Sequence, residues 1–204
     1  MNKTYNIKEG YISRSSYHHF DDTPMKDEYQ DKVYETAHTL CEKNNLNNIL
    51  DIGCGSGYKL IKYFKKYNFT GTELEPTLSW LKKKYPDNQW LDGDFTKTLG
   101  KPYDVIICAD VIEHLLDPNQ LLVFLKKINF KYAVISTPER DAIQKYQRGK
   151  TWMGPPNNPA HIREWSFGEF KNYLSNSFIL EDHFMAKNKV ESTSLCQIAI
   201  IKNK

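Results

Sequence analysis

The chain has 204 residues, 40% of them hydrophobic and 26% charged, with a net charge of +3, which fits one soluble globular domain. A mean hydropathy of −0.64 and no apolar run near the roughly 18 residues a span needs exclude a membrane-helix protein, and the composition excludes a collagen, a coiled coil and a disordered tail. Cys41, Cys54, Cys108 and Cys196 are scattered without a CxxC pair, and MNKTYNIKEG has no apolar leader, so a reduced, cytoplasmic setting is expected.

Residues 1–24 are polar and aromatic without a sustained period and read as an N-terminal arm or lid before a domain at 25–204. From Pro24 a helical pattern places Tyr29, Val33, Ala37 and Leu40 on one face and stops at Asn44 and Asn45. Strands and helices then alternate. NILDI (48–52) is a short apolar strand stopped by glycines, and Tyr58–Tyr67 is an amphipathic helix with Leu60, Ile61 and Phe64 on its apolar face. Phe69–Leu74 is a second strand, and Pro76 opens a helix that runs to Pro86. Gln89–Leu91 is a weak strand. Tyr103–Ala109 is apolar enough to be buried on both faces. A helix over Pro118–Ile128 precedes the buried strand Tyr132–Ser136. Ser166 and Glu169 form a capping box at the start of a later helix. Phe178–Phe184 and Leu195–Ile201 complete the set as a hairpin-like pair that adds an antiparallel strand at the sheet edge. Five strands alternating with helices predict a parallel sheet covered on both faces. The stretch between Pro138 and Trp165 is too long for an ordinary connection and too rich in Trp, His and Arg for a plain linker.

The strongest motif is ILDIGCGSG at 49–57. A buried strand runs into Gly53, Gly55 and Gly57 and then directly into a helix, so the backbone turns sharply and a ligand can approach it closely, at the end of the sheet where open α/β folds bind ligands. A phosphate loop of the Gly-Lys-Ser/Thr type is absent, and the third glycine of a dinucleotide loop is replaced by Tyr58. The pattern G-x-G-x-G preceded by Asp51 resembles the first motif of the class I S-adenosylmethionine-dependent methyltransferases. That resemblance continues in order through GTELEP, GDF and ADVIEHLLDP, over roughly residues 30–200, and it is nearest to the small-molecule group that includes ubiquinone-pathway O-methyltransferases. It implies a three-layer Rossmann-like α/β sandwich with a mostly parallel seven-stranded sheet, order 3-2-1-4-5-7-6 and last strand antiparallel. It implies S-adenosyl-L-methionine as cofactor and S-adenosyl-L-homocysteine as product. On the matching positions it assigns the cofactor to Asp51, Gly53, Cys54, Gly55, Gly57, Glu73, Leu74, Asp94, Phe95 and Asp110. Glu73 comes first after its strand and is the preferred ribose carboxylate, since it accepts from both hydroxyls; Glu75 is the alternative.

Methyl transfer displaces a neutral thioether, so the enzyme has to align the nucleophile and exclude water. A hydroxyl nucleophile also has to lose its proton, which calls for a base such as His. His114 and His161 fall where the family places its acceptor pocket and are the catalytic candidates, with Glu113 or Asp110 orienting one of them. Glu113, Trp152 and Arg163 are the candidate substrate contacts, and Tyr11, Arg14 and Tyr17 of the arm are candidates for cofactor or acceptor. Trp152, Trp165 and Arg163 suit a sugar ring, an aromatic group or a phosphate. Asp110, Glu113, His114 and His161 together resemble the metal site of small-RNA 2′-O-methyltransferases, which makes a divalent cation the lesser reading. The preferred acceptor is a small-molecule hydroxyl, on a sugar or nucleotide sugar. The small net charge argues against a nucleic acid. An RNA 2′-O-methyltransferase and a non-catalytic cofactor-binding partner subunit are the alternatives.

Overall fold

A computed structural model describes residues 5–16, 21, 23–24, 29–146, 153–186 and 195–204. Its centre is one seven-stranded sheet in the order β3-β2-β1-β4-β5-β7-β6. The strands are β1 (Asn48–Ile52), β2 (Asn68–Glu73), β3 (Gln89–Asp92), β4 (Tyr103–Ala109), β5 (Phe130–Pro138), β6 (Ile179–Ala186) and β7 (Cys196–Lys202). The first five pair in parallel. β7 runs antiparallel to both β5 and β6 and lies between them, as the order implied by the resemblance has it; the edge place read from the hairpin-like pair belongs to β6. That position follows from burial: Ile198, Ala199 and Ile201 are fully buried, while Ile179 at the start of β6 is 47% exposed. The more apolar strand takes the inner place.

Helices cover both faces. On one, α1 (Asp31–Asn44), α2 (Tyr58–Phe64) and α3 (Thr77–Lys84) pack Val33, Tyr34, Ala37, Cys41, Leu60, Phe64, Leu78 and Leu81 onto Ile49, Val105, Ile107 and Val134. On the other, α4 (Asn119–Lys126) and α6 (Phe167–Ser175) bury Leu121, Leu125, Phe170 and Leu174 against Leu50, Ile106, Ala133 and Ile135. Neighbouring strand residues thus feed opposite layers, which is why these strands read as continuous apolar runs. No helix among the described residues is long and apolar enough to cross a membrane.

Several boundaries move from the sequence reading. α1 starts at Asp31; Tyr29 lies before it, 49% exposed, and Tyr34 takes the place expected for it on the buried face. Asn45 closes the helix in the left-handed region, φ 52°, as an Asn cap can. α5 (Arg140–Tyr146) occupies the start of the long stretch between Pro138 and Trp165, where the sequence shows only weak periodicity. The capping box on α6 is present in both halves: Ser166 accepts from Glu169 N–H and Glu169 accepts from Ser166 N–H. The sheet order reverses between β1 and β4, so the crevice at their carboxyl ends is where an open α/β sheet holds a ligand.

Candidate active site

The glycine loop and the segment after β4 flank that crevice. Gly53, Gly55 and Gly57 have φ of 67°, 54° and 67°, a region that side-chain-bearing residues rarely adopt. A Cβ on Gly53 would also sit 2.6 Å from the Val111 side chain, so the loop lies tight against the chain leaving β4. Asp51 is fully buried and accepts a hydrogen bond from Tyr34 Oη at 2.8 Å, which ties α1 to the end of β1. Glu73 reaches the loop directly: its carboxylate accepts from Gly55 N–H at 3.3 Å and from Leu74 N–H at 2.6 Å. Glu75 instead accepts from Ser79 N–H and Oγ and secures the start of α3. The two neighbouring glutamates therefore divide: Glu73 bonds to the glycine loop and Glu75 to α3. Cys54 turns its thiol inward, into the layer with Trp90 and Leu81, so a ligand in the crevice would meet its backbone. Asp94 Oδ1 accepts from Thr96 N–H and shapes a turn. Phe95 packs on Phe124 with ring centroids 5.2 Å apart.

Beyond β4 the chain makes a single 3-10 turn, Ile112–His114. It brings Glu113 and His114 to His161, so that one ligand atom of each lies within 4.8 Å of the others. Hydrogen bonds fix the proton positions. His114 Nδ1 faces the Ala160 carbonyl at 2.9 Å; a carbonyl only accepts, so Nδ1 carries the proton and Nε2 is bare. His161 Nδ1 faces Glu164 Oε1 at 2.7 Å, and Nε2 faces Asn158 Nδ2 at 3.0 Å. Asn158 Oδ1 accepts from Ala160 N–H, so its amide nitrogen is the atom turned toward His161, and Nε2 accepts. Glu113 is wholly buried; Oε2 accepts from Thr137 Oγ1 at 3.0 Å, and Oε1 has no hydrogen-bond partner. His114 Nε2 and Glu113 Oε1 thus lack partners in the cluster, while His161 Nε2 accepts from Asn158. Burial and the neighbouring His161 pull the His114 pKa down to about 4. Burial and then Asp110 push the Glu113 carboxyl well above the usual range.

The described geometry matches known proteins. A family model for a methyltransferase domain matches residues 17–177. The chain belongs to this family: it is an S-adenosylmethionine-dependent methyltransferase. No curated protein sequence matches it significantly. Among solved structures, the small RNA methyltransferase HEN1 aligns at TM-score 0.65 and 21% identity over 93% of this chain. The chain spans 27% of that HEN1 chain. The methyltransferase domain of a bacterial Hen1 aligns at TM-score 0.65 and 20% identity, covering 87% of this chain and 99% of that one. Magnesium protoporphyrin IX methyltransferase from Synechocystis PCC 6803, with bound S-adenosylhomocysteine, gives TM-score 0.65 and 16% identity over 94% of this chain and 90% of that one. At these identities the likeness is one of fold.

The remaining sequence candidates of the methyltransferase fall in different places. Asp110 adopts φ 53° and its carboxylate accepts from Ser136 Oγ at 2.5 Å, so it stands apart from the three-residue cluster. Arg163, expected to hold substrate, is 3% exposed and donates to the Leu115 and Leu116 carbonyls at 2.6 and 2.9 Å. Its fork clamps the chain after His114 and does not open to solvent. Trp165, expected as a flat face for a sugar, is fully buried and stacks on Tyr173. Trp152 and Tyr17 lie outside the described residues. Tyr11 and Arg14 contact the long loop: Tyr11 Oη accepts from Glu164 N–H, and Arg14 donates to the Pro156 carbonyl. Thr137, Asn158 and Glu164, which orient the cluster, carried no motif in the sequence; HIREW at three-residue spacing was the one available hint for Glu164.

Proposed function

We propose that the methyltransferase transfers its methyl group to a hydroxyl oxygen of a sugar-type small molecule bound at Glu113, His114 and His161. The observation that carries this reading is the convergence of Glu113, His114 and His161, with one ligand atom of each within 4.8 Å of the others. A ligand with adjacent O–H donors, as a sugar ring has, complements such a set. The glycine loop and Glu73 would hold the cofactor so that the attacking oxygen, the methyl carbon and the sulfur lie in line, and most of the rate gain would come from that alignment. His161 would take the hydroxyl proton. With its pKa near 4, His114 is too weak a base for that task at neutral pH, and it would accept a hydrogen bond or bind a cation.

The same residues fit a divalent ion. Each imidazole has its Nδ1–H tied to a carbonyl or carboxylate, the arrangement of metal-ligating histidines; His114 Nε2 is bare, a cation on His161 Nε2 would replace the hydrogen bond from Asn158 Nδ2, and Glu113 Oε1 supplies a buried oxygen without a partner. Bound there, a cation would supply a Lewis acid that eases loss of the hydroxyl proton. A second reading, methylation of a ribose hydroxyl at an RNA end, is supported by this cluster together with the fold shared with a protein described as a small RNA methyltransferase; the net charge of +3 favours the small acceptor. The test is methyl transfer from labelled S-adenosylmethionine to nucleotide sugars and to short RNAs, each with Mg²⁺, Mn²⁺ or a chelator. Turnover on a sugar supports the first reading and turnover on RNA alone replaces it with the second. Full activity in chelator removes the cation, and His161→Ala with unchanged turnover removes the proton acceptor.

A further inference from the structure

We propose that Glu164 is a positioning residue, whose carboxylate sets the tautomer and orientation of His161 while the N-terminal arm holds Glu164 in place. The inference rests on the reading of His161 as an acceptor-site residue. Glu164 is 6% exposed and its Oε1 lies 2.7 Å from His161 Nδ1. The bond is short enough to be charge-assisted, and it leaves on Nε2 a lone pair that accepts from Asn158 Nδ2 at 3.0 Å. The Glu164 backbone is fixed from both ends: its N–H donates to Tyr11 Oη at 3.0 Å, and its carbonyl accepts from Arg140 at 3.3 Å. Arg140 is 3% exposed, pairs with Glu169 at 2.7 Å and lies over the Tyr11 ring.

The arm fastens the segment on either side as well. Arg14 N–H donates to the Ile162 carbonyl at 2.8 Å, and Trp165 Nε1 donates to the Tyr5 carbonyl at 2.9 Å. Residues 161–165 are thus gripped by a stretch about 150 positions earlier in the chain. Without the Glu164 carboxylate, His161 is free to carry its proton on Nε2. An Nε2–H would face the Asn158 amide N–H, so that hydrogen bond is lost and the cluster holds a donor where it held an acceptor.

The experiment reads the tautomer directly. Long-range proton–nitrogen spectra of nitrogen-labelled protein, without cofactor, report which ring nitrogen of His161 is protonated, with the signal assigned by loss in His161→Gln. Wild type is expected to show the Nδ1–H form. Glu164→Leu, which keeps the packed volume and removes the acceptor, and Glu164→Ala as a second variant should shift the tautomer ratio toward Nε2–H by about tenfold or more. Glu164→Gln, whose amide oxygen still accepts, should stay close to wild type. Turnover of Glu164→Leu should fall about 10–100-fold, as for other partners of site histidines, with S-adenosylhomocysteine affinity unchanged. An unchanged tautomer in whichever of the two variants folds overturns the inference. A shifted tautomer with undiminished turnover leaves Glu164 as the positioning residue and removes His161 from the proposed chemistry.

Discussion

Protonating His114 should weaken the fold, and the structure gives the size of the effect. Its pKa falls from 6.5 to about 4 through burial and the neighbouring His161. The unfolded chain therefore binds a proton through a window in which the folded protein does not, and stability must drop as pH falls through that window. With one pKa unit equal to about 1.4 kcal/mol, the loss between pH 7 and pH 5 is about 2 kcal/mol, and it levels off near 3 kcal/mol below pH 4. Urea unfolding in the presence of a chelator, at pH 7, 6 and 5, compares wild type with His114→Gln, which keeps a donor for the Ala160 carbonyl. With a slope of about 2 kcal/mol per molar urea, the wild-type midpoint should fall by about 1 M more than that of the variant. The difference isolates His114 from other groups titrating in the same range, such as His183, whose pKa is also lowered by burial. Equal losses in the two proteins would refute the argument, and would mean that His114 accepts a proton without leaving its place.

Three further outcomes are expected. Glu73→Ala should weaken S-adenosylhomocysteine binding about tenfold or more by calorimetry, whereas Glu75→Ala should leave it within about twofold and instead cost about 1 kcal/mol at the start of α3. Gly71→Ala would place a methyl group 2.5 Å from Trp90 and 2.8 Å from Cys54 Sγ; such overpacking costs about 1–3 kcal/mol, a fall in Tm of about 2–12 °C for a chain of this size. Arg163→Lys cannot span both the Leu115 and Leu116 carbonyls, so thermal unfolding should show a loss of about 1–3 kcal/mol; an unchanged Tm with a raised acceptor KM would return Arg163 to substrate binding.

The sheet was legible because its strands are apolar on both faces and its helices on one. NILDI and YDVIICA announce buried strands, and the glycines of ILDIGCGSG leave little choice of turn. His114 and His161 were legible as residue types beyond a strand and within a long loop. Their grouping came from the resemblance to a small-RNA methyltransferase metal site and holds for Glu113, His114 and His161; the residue pattern alone does not show it, since it depends on a 3-10 turn and on Ile162 N–H donating to the Glu113 carbonyl at 2.8 Å, contacts with no periodic signature. Arg163 misled for a related reason. An arginine in a polar loop reads as exposed, and only the folded chain shows two backbone carbonyls waiting for its fork. α5 escaped notice because seven residues are too few to establish a period, and the inner position of β7 came from the order that the resemblance implies, not from the hairpin-like pair.

The strap between the arm and the long loop has a consequence for the newborn chain. Tyr5, Tyr11 and Arg14 leave the ribosome about 150 residues before their partners at 153–165. At about 5–20 residues per second, that is a wait of about 10–30 seconds. Through that interval the strands from β1 to β5 can pair while the arm stays unsecured, and the segment that carries His161 and Glu164 is fastened only when two stretches made so far apart in time meet.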